Sequence, residues 1–183
     1  MIQIGERITL AGATGAAAYA AAAICCGLAW ARAKSQGSGS RLAASVIILE
    51  GFLLLDLILN LRWRLHDFLA GKAMHLHLYG VRRGPQTLAL FVLAGLLCLS
   101  LLPASVLLRQ RTGAFFAVFG ASLSLILWCT EVISLHAVDH VLYHNVGPLT
   151  VVSLVRICVC LITSAGILIE GRRDMRVARL RPL

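Results

Sequence analysis

The sequence predicts an all-α integral membrane protein, a polytopic bundle of about five transmembrane helices with essentially no soluble domain. Of its 183 residues, 59% are hydrophobic and only 14% are charged, and a soluble domain of this size could not cover so much apolar surface. Several apolar runs reach the roughly 20 residues that cross about 30 Å of hydrocarbon as a helix. Basic residues cluster at the ends of these runs, as is typical of residues that contact lipid headgroups.

Five segments are predicted to span the membrane, and one segment is predicted to lie along its surface. The predicted spans cover residues 8–31, 42–65, 86–108, 113–140 and 148–170. The first span is rich in alanine, and Gly12, Ala16 and Ala20 give it a face for close helix packing. Residues 66–85 mix apolar and basic side chains without a continuous apolar run, which predicts an interfacial helix.

A weak internal repeat relates spans two and three to spans four and five. The segment LYGVRRGPQTLALFVL at 78–93 resembles LYHNVGPLTVVSLV at 142–155. Both segments place Leu-Tyr a few residues before Gly-Pro-x-Thr and an apolar run. Two related helix pairs in parallel orientation would produce this pattern, and so would chance similarity between apolar helices.

The distribution of Lys and Arg predicts the orientation in the membrane. The 32–41 loop, the 109–111 turn and the C-terminal tail share one side and hold ten Lys and Arg residues, against six on the other side. We therefore predict a bacterial inner membrane protein with its N-terminus outside and its C-terminus in the cytoplasm. The N-terminus lacks the cationic region of a signal peptide, so we expect the first helix to be retained.

Four ionisable side chains lie inside the apolar runs, namely Glu50, Asp56, Glu131 and Arg156. Charges in hydrocarbon usually face other helices and serve assembly or function. At a rise of 1.5 Å per residue, Asp56, Glu131 and Arg156 are predicted about 12–13 Å below one boundary, and Glu50 about 22 Å below it. We predict that the first three form a polar cluster that fixes helix packing.

An ion or proton path is the alternative function for the same residues. Two carboxylates beside one arginine leave an excess negative charge, which favours a proton on one of them. Glu50 has no obvious basic partner, so it is either a second protonatable stop or the partner of a charge on another chain.

All six histidines are predicted toward one membrane face. His136, His140 and His144 have i, i+4, i+8 spacing, which puts them on one face with Asp139 alongside if the helix continues. Such pairs can bind a divalent metal, and His66 with His136 or His140 could hold a haem b between two helices. Interfacial histidines that bond headgroups or backbone are the third interpretation.

The surface segment and the cysteines give less specific signals. Tyr79, Arg82, Arg83 and Gln86 could bind an anionic lipid, a quinone headgroup or a partner subunit, or simply anchor the segment at the interface. The six cysteines lie within predicted spans without zinc-finger spacing and are interpreted as packing residues. The basic residues form no single face, which argues against nucleic-acid binding.

No hydrolase, nucleotide-binding or metalloprotease motif occurs in the chain. The sequence therefore favours a non-enzymatic membrane subunit whose partners are the bilayer and other membrane subunits or a second copy. A haem- or metal-binding redox anchor and a small proton or ion translocator are the alternative functions.

Overall fold

The computed structural model describes residues 10–35, 41–77, 79–107, 111–133 and 136–179. These residues confirm the all-α class. The helices are α1 (Leu10–Ser35), α2 (Arg41–Leu59), α3 (Leu61–His75), α4 (Arg83–Leu107), α5 (Thr112–Ile133), α6 (His136–Leu142) and α7 (Val151–Arg179). A 3₁₀ turn at Tyr79–Val81 precedes α4, and a two-stranded hairpin, β1 (Asn145–Val146) and β2 (Leu149–Thr150), precedes α7.

Four described helices are long and apolar enough to cross a membrane. They are Gly12–Ser35, Arg41–Leu59, Thr112–Ile133 and Val151–Arg173, and Arg83–Leu99 is a shorter apolar helix. By the length and composition of its helices the chain is a multi-pass membrane protein, and the fifth predicted crossing, 86–108, stays a prediction.

Glycine and alanine bring the antiparallel helices α5 and α7 into close backbone contact. A Cβ atom added at Gly166 of α7 would collide with the backbone of Ala117 and come 2.7 Å from the carbonyl oxygen of Gly113. One added at Gly120 would lie 2.8 Å from the backbone nitrogen of Thr163. In lipid the hydrophobic effect does not drive helices together. Small residues stabilise the helix pair instead, because they let the two backbones make close van der Waals contact.

The other helices pack around this pair. Tyr19 of α1 shares a buried cluster with Leu53 of α2 and Cys160 of α7, whereas Cys26 packs in a second cluster with Ala43 and Ile167. Later residues of α1 therefore meet earlier residues of α2 and later residues of α7. Helix α1 runs parallel to α7 and antiparallel to α2.

The helix directions define two ends of the bundle. The network end is where α2 ends, α5 ends and α7 begins, and the distal end is where α2 and α5 begin. Helix α4 starts beside the last turn of α5, since Gln86 Nε2 donates to the carbonyl oxygen of Ile133 at 2.9 Å. It ends shortly before α5 begins. Helix α4 therefore runs from the network end to the distal end, antiparallel to α5.

Helix α2 ends at Leu59, and the helix breaks at Asn60, inside the second predicted span, 42–65. Asn60 adopts a left-handed conformation with φ 52° and ψ 39°, and α3 starts at the next residue. Asparagine tolerates this region better than most residues because its short side chain hydrogen-bonds locally. The predicted interfacial segment, 66–85, consequently begins earlier as α3. In the hairpin, Gly147 takes the positive φ of 64° that the tight turn requires.

Candidate functional site

Four buried charges form a connected network at the network end of the bundle. Arg62 lies between Asp56 and Glu131, with Nη2 2.6 Å from Asp56 Oδ2 and Nη1 2.6 Å from Glu131 Oε2. Arg156 Nη2 lies 2.5 Å from the other Glu131 oxygen, Oε1. None of the four residues is more than 4% exposed. We call Asp56, Arg62, Glu131 and Arg156 the charge network.

The break at Asn60 is what allows Asp56 to meet Arg62. Two residues six apart on a continuous helix differ in direction by about 120°. Past the break, the backbone N–H of Arg62 donates to Asp56 Oδ1 at 2.7 Å, while the guanidinium pairs with Oδ2. Asp56 therefore accepts a hydrogen bond from one of the first N–H groups of α3, which have no partner within the helix.

Glu131 is the centre of the network. It accepts hydrogen bonds from Arg62 and Arg156, and the Tyr143 hydroxyl donates to its Oε1 at 2.9 Å. Burial, together with the neighbouring Glu131 carboxylate, raises the pKa of Tyr143 above its ordinary value, so the hydroxyl stays protonated as a donor. Three donors on one carboxylate compensate for much of its lost hydration.

Helix α1 accommodates the second arginine through a glycine. A Cβ atom at Gly15 would lie 3.1 Å from both Cδ and Nη1 of Arg156. The absence of a side chain at this position therefore lets the guanidinium lie against α1. Arg156 Nε is buried and has no hydrogen-bond partner within the described part of the chain.

Side chains from α3 and α4 contact the carbonyl oxygens at the end of α5. His66 Nδ1 lies 3.1 Å from the carbonyl oxygen of Val132, and Gln86 Nε2 donates to that of Ile133. The last carbonyls of a helix have no intrahelical partner. Both residues, proposed from sequence as a haem ligand and a headgroup ligand respectively, make structural contacts to the α5 terminus.

The structure brings Asp56, Glu131 and Arg156 of the predicted cluster into one network and adds Arg62. Glu131 and Arg156 pair directly, whereas Asp56 joins through Arg62 rather than Arg156. The predicted excess negative charge is wrong, because two carboxylates face two guanidiniums. Arg62 is one of the basic residues at the ends of the apolar runs, for which the sequence predicted contact with lipid headgroups.

The break also corrects the predicted depth. Asp56 lies about 6 Å from Asn60 along the helix axis, rather than about 13 Å below a boundary at Leu65. The charge network therefore lies within about two turns of the network end.

Glu50 lies apart from the network, near the middle of α2. It is fully buried, and its Oε2 lies 3.9 Å from the Cys160 thiol. Its Oε1 has no hydrogen-bond partner among the described residues. Ser124 Oγ and Trp128 Nε1 on α5 are likewise buried without a described partner. The prediction that Glu50 stands alone agrees with this geometry.

An apolar layer separates Glu50 from the distal end. Its members, Cys26, Ala43, Val46, Ala117, Ala121 and Ile167, form one buried cluster. Along the bundle axis, each of these residues lies closer to the distal end than Glu50 does. Beyond this layer, Glu170 of α7 pairs with Arg111 at 2.5 Å and accepts from the backbone N–H of Ala114 at 3.1 Å. Glu170 thereby joins the ends of α5 and α7, a contact that the sequence argument did not predict.

The described residues contain no group of three His, Cys, Asp or Glu side chains that could hold a metal ion. Helix α6 ends at Leu142, so His144 lies beyond it and does not continue the face of His140. Asp139 has an interaction partner in the structure, and the side chain of His136 lies outside the described atoms. The metal and haem predictions gain no support from this geometry.

The four headgroup candidates differ in their surroundings. Gln86 is engaged with α5, and Arg82 is half-buried with an interaction partner. Arg83 is exposed, and the side chain of Tyr79 lies outside the described atoms.

Comparisons with protein-family models, curated proteins and solved structures gave no significant match to this chain.

Proposed function

We propose that the chain is a non-enzymatic integral membrane subunit of a larger complex, in which the charge network permanently fixes the helices at one membrane face. The observation that carries the proposal is the position of Glu131 between two arginines from different helices. A balanced set of charges in contact has no net charge for hydrocarbon to disfavour, and removing one member leaves an unpaired buried charge. The charge network therefore favours a fixed structural role over that of a proton carrier, whose charge changes in each transport cycle.

The apolar layer supports the same function over translocation. It lies across the route between Glu50 and Glu170, and it consists of aliphatic and thiol side chains. An ion that crosses this cluster would lie against apolar side chains, which is costly in a low-dielectric interior.

Helix α4 provides the surface for a partner subunit or a second copy. Its described side chains include a row of exposed apolar residues, namely Leu88, Phe91, Val92, Leu96, Leu99, Leu102 and Val106. Within the bundle it packs mainly against α5. Its outer face is therefore an apolar helix surface that another membrane helix can cover.

The proposal is tested by the size of the gently extracted complex. Native mass spectrometry of digitonin extracts should find the chain in an assembly larger than the monomer. Gly95→Trp should dissociate it, since a side chain at Gly95 points into open space and leaves the monomer intact. Gly27→Trp, on α1 and equally open, is the matched control. A chain that is monomeric after gentle extraction contradicts the subunit function.

We further propose that the protein lies in a bacterial inner membrane with the N-terminus outside. Pairing of Arg62 inside the bundle supports this orientation, because it leaves five rather than six basic residues on the outer side, against ten on the other. C-terminal fusion to alkaline phosphatase should be inactive, and fusion to green fluorescent protein should fluoresce.

Proton translocation through Glu50 is the second candidate, favoured by the unpartnered Oε1 of that residue. Proton flux into liposomes that contain the purified chain tests it. Flux that is abolished by Glu50→Gln supports translocation, and flux equal to protein-free liposomes rejects it.

A further inference from the structure

Helix α3 has two distinct faces. Arg62 is buried and His66, Ala70 and Ala73 are half-buried, and these residues share one side of the helix. This side packs against α5, where Arg62 and His66 make their contacts. The opposite side of α3 is therefore turned away from the bundle.

The outer side combines cations with large apolar groups. Arg64, Phe68 and Lys72 are exposed and lie four residues apart, so they form one stripe along the helix. Phe68 is 59% exposed, and the Lys72 ammonium lies 5.7 Å from its ring centroid. Leu65 and Leu69 are exposed beside the stripe. We call these five residues the α3 stripe.

The location of the α3 stripe is set by the helix before it. Helix α2 is one of the membrane-spanning helices, and α3 begins two residues after it ends, beyond the break at Asn60. The start of α3 therefore lies at the boundary between hydrocarbon and headgroups. Exposed leucine, phenylalanine, arginine and lysine on one surface helix are the composition that enters this boundary.

The net charge of the stripe selects among lipids. Arg64 and Lys72 supply two positive charges, and Asp67, the acidic residue of α3, lies on the neighbouring side with Trp63. Arg62 adds no charge to the surface, because its guanidinium is neutralised within the charge network. The headgroup of an anionic phospholipid, a phosphodiester without an amine, complements this positive surface. The amine of a zwitterionic headgroup cancels part of that attraction.

We propose that the α3 stripe binds anionic phospholipid, with Arg64 and Lys72 on the headgroup phosphate and Phe68, Leu65 and Leu69 against the acyl chains. This site is distinct from the α4 surface proposed for a partner subunit, and it does not depend on that function. It also differs from the 79–86 candidates, of which Arg82 and Gln86 are engaged elsewhere.

Native mass spectrometry of the full chain in detergent measures the proposed binding. The chain is titrated with phosphatidylglycerol or phosphatidylcholine of identical acyl chains, and phosphatidylglycerol should bind more tightly. Arg64→Gln combined with Lys72→Gln should weaken phosphatidylglycerol binding by about 30-fold, because each cation near the surface contributes about 1 kcal/mol. Binding of phosphatidylcholine should change little.

The matched control lies at the other end of the bundle. Arg32 and Lys34 are also exposed, and the Lys34 ammonium lies 5.0 Å from the Trp30 ring centroid. Arg32→Gln combined with Lys34→Gln removes the same charge at the distal end, away from the α3 stripe, and should leave the affinity for phosphatidylglycerol within about twofold. Equal affinity for both lipids, equal losses in the two double variants, or no loss in the α3 variant would each overturn the proposal. Loss of a co-purifying protein, with lipid binding unchanged, would assign the stripe to a protein partner and overturn it too.

Discussion

Asp56 and Arg62 are joined twice across the break at Asn60, once by an ion pair and once by a hydrogen bond from the Arg62 backbone N–H at 2.7 Å. The break turns the chain so that Arg62, three residues after the end of α2, enters the bundle and reaches Glu131. The left-handed conformation of Asn60 therefore places a second arginine beside the two buried carboxylates and balances their charge.

The first prediction concerns the conformation of Asn60. Asn60→Ala should destabilise the protein by about 1–2 kcal/mol, because a Cβ-bearing residue without local hydrogen bonding is strained at φ 52°. Asn60→Gly should be close to neutral. Unfolding in micelles by SDS titration measures both free energies. Equal losses for the two variants would show that the side chain of Asn60, and not its backbone conformation, is what matters.

The second prediction concerns Glu131. Glu131→Gln should destabilise the protein by about 3–5 kcal/mol, because it leaves Arg62 and Arg156 with one carboxylate between them in a buried site. Combining it with Arg156→Gln should cost less than the sum of the two single variants, since the double variant restores the charge balance. The same SDS titration provides all three values, and additive losses would contradict the network.

The sequence predicted the all-α class because hydrocarbon requires helices whose backbone groups are satisfied internally, and long apolar runs are visible without a structure. It predicted Asp56, Glu131 and Arg156 as a cluster because charges in such runs have few alternatives to pairing. It missed Arg62 because helix direction after Asn60 depends on one backbone conformation, and asparagine permits that conformation without requiring it. The contact of Glu170 with Arg111 was missed for a related reason, since both lie at helix ends where headgroup contact is an equally good expectation.

The third prediction separates Glu50 from the network. Glu50→Gln should change the unfolding free energy by less than about 1 kcal/mol, because the uncharged acid is the form that hydrocarbon surroundings favour and the amide has the same shape. The comparison is with Glu131→Gln in the same SDS titration. A loss at Glu50 as large as that at Glu131 would show that Glu50 is held as a carboxylate by a cation on another chain.

The fourth prediction concerns the crossing of α5 and α7. Gly166→Ala should destabilise the protein by about 1–3 kcal/mol, because the added methyl group collides with the backbone of Ala117 and must separate the helices. Neither backbone can move aside as a flexible side chain would. Gly171→Ala, five residues later on α7, meets nothing within 4 Å and is the matched control. It should be neutral or stabilising, since alanine has the higher helix propensity. Thermal unfolding followed by circular dichroism compares the two variants, and similar midpoints would mean that α5 and α7 are not held together by this backbone contact.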